Sequence, residues 1–149
     1  MALRNRSLLA DPRKAGMRDI INLKVKQRES FRPFAPSVLE EESFSYFGNP
    51  IPSPFMLFAF KVNPDKREMP AVTRIDGTAQ PQTVSKDTNP HYWNLIKEFE
   101  KLTGVPVLLN TSFNVQEPIV CTPEDAINYF LKTKVDYLVL NNLLIKQPS

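Results

Sequence analysis

Val105–Asn114 reads VPVLLNTSFN, a short apolar run that breaks into small polar residues. Val105, Val107, Leu108 and Leu109 are too few for a helix and rich in strand formers, so they predict a buried strand. Asn110, Thr111, Ser112 and Asn114 then bring side-chain donors and acceptors to the point where that strand stops. In open α/β sheets, ligands collect outside the carboxyl ends of strands. Asn, Ser and Thr are also common turn formers. The stretch alone leaves two readings open, a turn and a ligand site, and the turn stands first.

Just upstream, Asn89-Pro90 predicts a helix start, with Asn as N-cap and Pro at the first position. Trp93, Ile96 and Phe99 give it an apolar face, and Gly104 ends it. Downstream, Thr122-Pro123-Glu124-Asp125 is a second helix start with acids near the positive end of the dipole. Asp136–Leu140 and Leu143–Ile145 flank Asn141-Asn142 and predict a closing hairpin. Phe55–Val62 and Ala71–Ile75 predict two strands, the second ending at Asp76-Gly77-Thr78. Asp-Gly is by itself a hairpin signal. Met17, Ile20 and Ile21 fall at helical spacing between residues 13 and 24, and Val38–Phe47 can hold a short helix. The sum is an α/β chain, a mixed, twisted sheet with packed helices, in one domain over residues 1–149. The opening ALRNRSLLADPR starts within a patterned segment, so the chain reads as a piece of a longer protein.

The most basic stretch is KVKQRESFRPFAPS, residues 24–37. Lys24, Lys26 and Arg28 alternate with Val25 and Gln27, and Pro33 disfavours a helical Arg32. An extended segment with its cations on one face is the expectation. Such a row suits a polyphosphate, because Arg forks phosphate oxygens and Lys supplies a point charge. A solvated charged face is the competing reading. The formal net charge of +3 is compatible with a phosphate-bearing ligand and too small to argue for nucleic acid.

The rest of the composition narrows the chemistry. Cys121 is the only cysteine, so no intrachain disulfide forms, which points to a reducing, cytoplasmic setting. His91 is the only histidine, so a zinc site or a Cys-His nucleophile pair is not expected. No apolar run approaches the ~20 residues that span a bilayer. With 14 prolines and 4 glycines, a glycine-rich phosphate loop is absent.

Taken together, NRSLLADPR, VKQRESFRPFAPSVL, DGTAQ and PVLLNTSFNVQEPIVCTPEDAI resemble the C-terminal domain of the carbamoyltransferase family. That family includes nodulation, tobramycin and cephamycin O-carbamoyltransferases. The resemblance covers nearly the whole chain and keeps the motif order. It implies a YrdC-like α/β fold with a positively charged cavity, served by a K-x-R and a distant S-x-N. Here these are Lys26-Gln27-Arg28 and Ser112-Phe113-Asn114. The implied chemistry takes ATP, with magnesium, and carbamoyl phosphate as substrates and forms carbamoyladenylate. The implied partner is an N-terminal, metal-containing transferase domain, while this domain itself holds no metal.

By the same resemblance, Lys26, Arg28 and Arg32 are the catalytic, phosphate-neutralising cations. Asn5, Arg6, Ser7, Thr78, Asn110, Ser112 and Asn114 are the implied nucleotide- and carbamoyl-binding residues. The sequence also departs from the family pattern. Met1 and Arg4 stand where R-A-L-G-N-R-S has its first Arg and its Gly, and Gln80 replaces the Arg of D-G-T-A-R. A Gly expected before E-P-I-V is absent at Gln116-Glu117. Loss of the two cations implies weaker ATP contacts and leaves an alternative, a catalytically degenerate nucleotide- or RNA-binding module of the same fold.

Overall fold

The computed structural model describes residues 6–48, 51–66 and 68–147. Its centre is β6 (Val107–Ser112), the strand that ends the apolar run. On one side β6 pairs antiparallel with β1 (Ser7–Ala10), and on the other antiparallel with β2 (Ala35–Leu39). β5 (Gln82–Val84) adds to β2 in parallel, so the sheet order is β1-β6-β2-β5 and the sheet is mixed. Two short ribbons complete the strands. One is β3 (Phe60–Lys61) with β4 (Thr78–Ala79), and the other is β7 (Tyr137–Leu140) with β8 (Leu143–Lys146). The chain is an α/β domain.

Side chains alternate across a strand, and β6 uses both faces. Val107 and Leu109 are fully buried in the larger core with Leu8, Val38, Phe34 and Phe113. Leu108 points the other way and packs with Leu39, Val84, Tyr92 and Ile96 beneath α3 (Pro90–Thr103). The larger core also takes Ile21 and Val25 from the segment after α1 (Met17–Ile20), Tyr46 and Phe47 from α2 (Ser43–Phe47), and Tyr129 and Phe130 from α4 (Pro123–Lys132).

The helix signals hold in detail. Asn89 caps α3 by accepting the Tyr92 N–H, and Gly104 ends the helix at a φ of 77° that a side chain would resist. Thr122 and Asp125 form a reciprocal capping box at the start of α4. Asn141, at φ 52°, turns β7 into β8.

Three expectations need correction. Residues 24–28 are not extended. α1 continues as a π-helical turn over Ile21–Val25, because Ile21 and Val25 both find the core. Phe55–Val62 is not a buried strand. Phe55, Leu57 and Phe58 are exposed and only Phe60–Lys61 pairs. There the side-chain amides of Gln80 and Gln82 bond the carbonyls of Met56 and Pro54 in place of a backbone ladder. Ala71–Ile75 is an irregular turn rather than a strand, with Ala71 and Val72 buried and Ile75 fully exposed, and the strand comes after the Asp-Gly turn, at Thr78–Ala79.

Candidate functional site

The two halves of the expected pattern, 86 residues apart in sequence, meet at the end of β6. The π-helical turn ends at Lys26 and delivers its side chain inward, to 2% exposure. The next residue, Gln27, sits at φ +48°, in the left-handed region that non-glycine residues avoid. That reversal separates the paths of Lys26 and Arg28. Across from them, Phe113 buries its ring edge-on against Tyr129 at 4.8 Å. With the middle residue of Ser112-Phe113-Asn114 anchored in the core, Ser112 and Asn114 are left to face Lys26.

Lys26 Nζ donates to four acceptors: Ser112 O at 2.9 Å, Ser112 Oγ at 3.2 Å, Asn114 Oδ1 at 2.8 Å and Asn114 O at 2.5 Å. An ammonium has three protons, so all are committed to this turn. Ser112 Oγ donates to Asn114 Oδ1 at 2.6 Å, and Asn114 Nδ2 donates to Glu117 O at 2.6 Å. Lys26 therefore shapes the Ser112–Asn114 turn and places a positive charge beneath it. Burial, with Arg28 and Arg32 nearby, pulls its pKa down to about 8, and Glu117 only partly opposes this.

The cations that remain open are the arginines. Arg28 Nε donates to Asn22 Oδ1 at 2.7 Å, and its guanidinium lies over Phe34 at 4.9 Å. Its pKa is also lowered, first by burial and then by Arg32. Arg32 is exposed, and among the described residues no acceptor takes its guanidinium. These groups line a cleft of about 380 Å³ with Ser112, Asn114 and Gln116. Among the described residues, Glu29 is the only acid on its wall. Three cations against one carboxylate, beside two small polar side chains, are a set that can accommodate an anion with several oxygens.

The other expected residues take different places. Lys24 is exposed and does not line the cleft. Arg6 Nη1 donates to Val120 O at 3.1 Å and contacts Cys121 Sγ at 3.6 Å, bracing the loop that follows Asn114. Ser7 pairs in register with Ser112, and its Oγ is buried with no partner among the described residues. Thr78 closes the Asp-Gly turn by donating its Oγ to Asp76 Oδ1 at 2.7 Å, and it is not on the cleft wall. Asn110 is buried on the α3 face, donating to Ser37 Oγ at 2.9 Å and Gln82 Oε1 at 2.8 Å. Its Oδ1 has no partner among the described residues. Asn5 lies outside the described residues. Asn22 and Gln116 were not anticipated. The signal for Asn22 was an amide on the same helical stripe as Val25.

An α/β domain with a cation-lined cleft at the end of its central strand is the class that fold and site define. A family model, "Carbamoyltransferase C-terminus", matches residues 1–147. The nodulation protein NolNO of Sinorhizobium fredii is 53% identical across 99% of this chain. NolO of Bradyrhizobium diazoefficiens is 51% identical across the same share. The Synechocystis protein sll1178 is 46% identical, again across 99% of the chain. The chain belongs to the carbamoyltransferase family and corresponds to its C-terminal part. It spans 28%, 22% and 28% of the lengths of the Synechocystis, Sinorhizobium and Bradyrhizobium relatives. Among the described residues no helix is long and apolar enough to cross a membrane, and no three His, Cys, Asp or Glu side chains gather as metal ligands.

Proposed function

We propose that this domain binds ATP with magnesium and uses carbamoyl phosphate to form carbamoyladenylate, which the remainder of a longer carbamoyltransferase passes to an acceptor hydroxyl. The observation that carries this reading is the junction of Lys26 with Ser112 and Asn114 under a cleft walled by Arg28 and Arg32. Carbamoyl phosphate loses its phosphate to water and leaves carbamate. A carbamate oxygen attacks the α-phosphorus, the bond to the bridging oxygen breaks, and pyrophosphate departs. No protein nucleophile is required. The domain's work is positioning and charge stabilisation. Arg28 and Arg32 take phosphate oxygens, Lys26 sets the potential under them, and Ser112 and Asn114 orient the transferred group. Ser7 Oγ and Asn110 Oδ1, on the same strand pair, are buried oxygens without a partner among the described residues and lie outside the cleft wall.

A second reading has one observation in its favour. The amide of Gln80 is committed to Arg74 Nη2 at 3.0 Å and to the Met56 carbonyl, so the position of the family's Arg supplies no cation to ATP. On that reading the same cleft binds nucleotide without turning it over. Pyrophosphate release separates the two. Release that requires both ATP and carbamoyl phosphate supports adenylate formation. ATP binding with no release under any combination leaves the binding module.

Lys26 also sets a pH dependence with two opposite signs. Its pKa is about 8 in the folded chain and 10.5 when unperturbed. A bound anion favours the ammonium, so ATP affinity is expected to fall as pH rises through about 8. Stability moves the other way. Between the two pKa values the unfolded chain binds the extra proton, so the cost of burying the ammonium is relieved as pH rises across that window. Calorimetry between pH 7 and 9.5 checks the first sign, and urea unfolding over the same range checks the second. An affinity profile flat across that range would contradict the role given to Lys26.

A further inference from the structure

Asn22 is fully buried, an unusual place for an amide unless every bond it can make is made. Its Nδ2 donates to Ser30 O at 3.1 Å and to Arg32 O at 2.9 Å. Its Oδ1 accepts the Arg28 Nε proton at 2.7 Å. These bonds fix which way the amide points, since a flipped amide would set donor against donor at Arg28 and acceptor against two carbonyls. The side chain thus holds two things at once: the loop that carries Arg32 and the guanidinium of Arg28.

The consequence for Arg28 is geometric. One face of its guanidinium rests on Phe34, and its Nε is taken by Asn22. Only the Nη1/Nη2 end is left to meet an oxyanion, and no acceptor among the described residues takes it. We propose that Asn22 is a positioning residue that presents Arg28 end-on to the cleft and keeps Arg32 beside it. The proposal rests on the reading of this cleft as a polyphosphate site. It adds that the arginine pair is preorganised by an amide that never touches the ligand. A guanidinium held in one orientation before binding loses less freedom on binding than a free one.

The test is a double-mutant cycle with inorganic pyrophosphate as probe, read by calorimetry. Arg28→Ala is expected to weaken binding about ten- to a hundredfold, the scale of a charge-assisted contact. Asn22→Ala is expected to weaken it about tenfold alone and by a clearly smaller factor in the Arg28→Ala background, where only its hold on the loop that carries Arg32 is left to lose. A purely structural role would lower the melting temperature in both backgrounds and weaken binding by the same factor in both, and that additivity overturns the proposal. If Arg28→Ala binds pyrophosphate as tightly as the parent, the polyphosphate reading itself falls, and the proposal with it. Asn22→Ser serves where the alanine variant does not fold. The parent offers a check that needs no variant: slow solvent exchange of the Arg28 Nε proton is expected by NMR, and exchange as fast as that of exposed Arg32 overturns the proposal.

Discussion

Lys26→Met is expected to weaken binding of ATP with magnesium by at least about a hundredfold while the chain still folds. Two losses combine. The ammonium beneath the cleft disappears, and the four acceptors it gathers on Ser112 and Asn114 are released. Each charge-assisted hydrogen bond contributes roughly 1.5–3 kcal/mol, so losing the charge and the ordered turn together exceeds the effect of one contact. The fold persists because methionine fills nearly the same volume and no longer has to bury a charge. Calorimetry and circular dichroism read the two quantities separately. Binding within a few-fold of the parent would remove Lys26 from the site.

Leu109→Ala is expected to lower stability by about 2–5 kcal/mol, the range for deleting a buried leucine. For a domain of this size that is a fall of roughly 5–15 °C in melting temperature. Leu109 is fully buried in β6, paired with Ala10 of β1 on one side and Pro36 of β2 on the other. The cavity would open at the junction of three strands, where little can collapse into it. Urea unfolding measures the change. A loss under 1 kcal/mol would show that β6 is not the spine of the sheet. ATP affinity of the folded fraction is expected to change little, because Leu109 points into the core while Ser112 and Asn114 are held by Lys26.

The elements whose ends carry their own chemistry were legible from sequence. Asn89-Pro90 and Gly104 bracket α3, Thr122 and Asp125 start α4, and Asn141 turns the last hairpin. β2 was legible only in part: the extended segment expected over residues 24–37 reaches Ala35–Ser37, while Val38 and Leu39 read toward a helix, and Pro36 sits inside the strand, opposite Leu109 in an interior position. Sequence rules place proline at edges, since it cannot donate to the ladder. The Phe55–Val62 run misled because its apolarity suggested burial. Met56 adopts a φ of 55° there, and the ladder is replaced by the amides of Gln80 and Gln82.

The site was legible in halves. Alternation of Lys24, Lys26 and Arg28 suggested three cations on one face, and the π-helical turn with its left-handed Gln27 sends them three ways instead. Lys24 goes to solvent, Lys26 inward and Arg28 along the cleft wall. Nothing local in either motif shows that residue 26 meets residues 112 and 114. That contact depends on Phe113 docking against Tyr129, a tertiary event. Asn22 shows in the sequence only as an amide on the helical stripe of Val25, with nothing local to give its role. Its value lies in three partners between six and ten residues away, around a loop that periodicity does not describe.

The most direct test of the central claim is a calorimetric titration of the chain with ATP and magnesium, with and without carbamoyl phosphate, beside the Lys26→Met variant. Binding in the micromolar to millimolar range that the variant loses is the predicted result. No heat and no thermal shift from the parent, or equal binding by both proteins, would contradict a nucleotide site built on Lys26, Ser112 and Asn114.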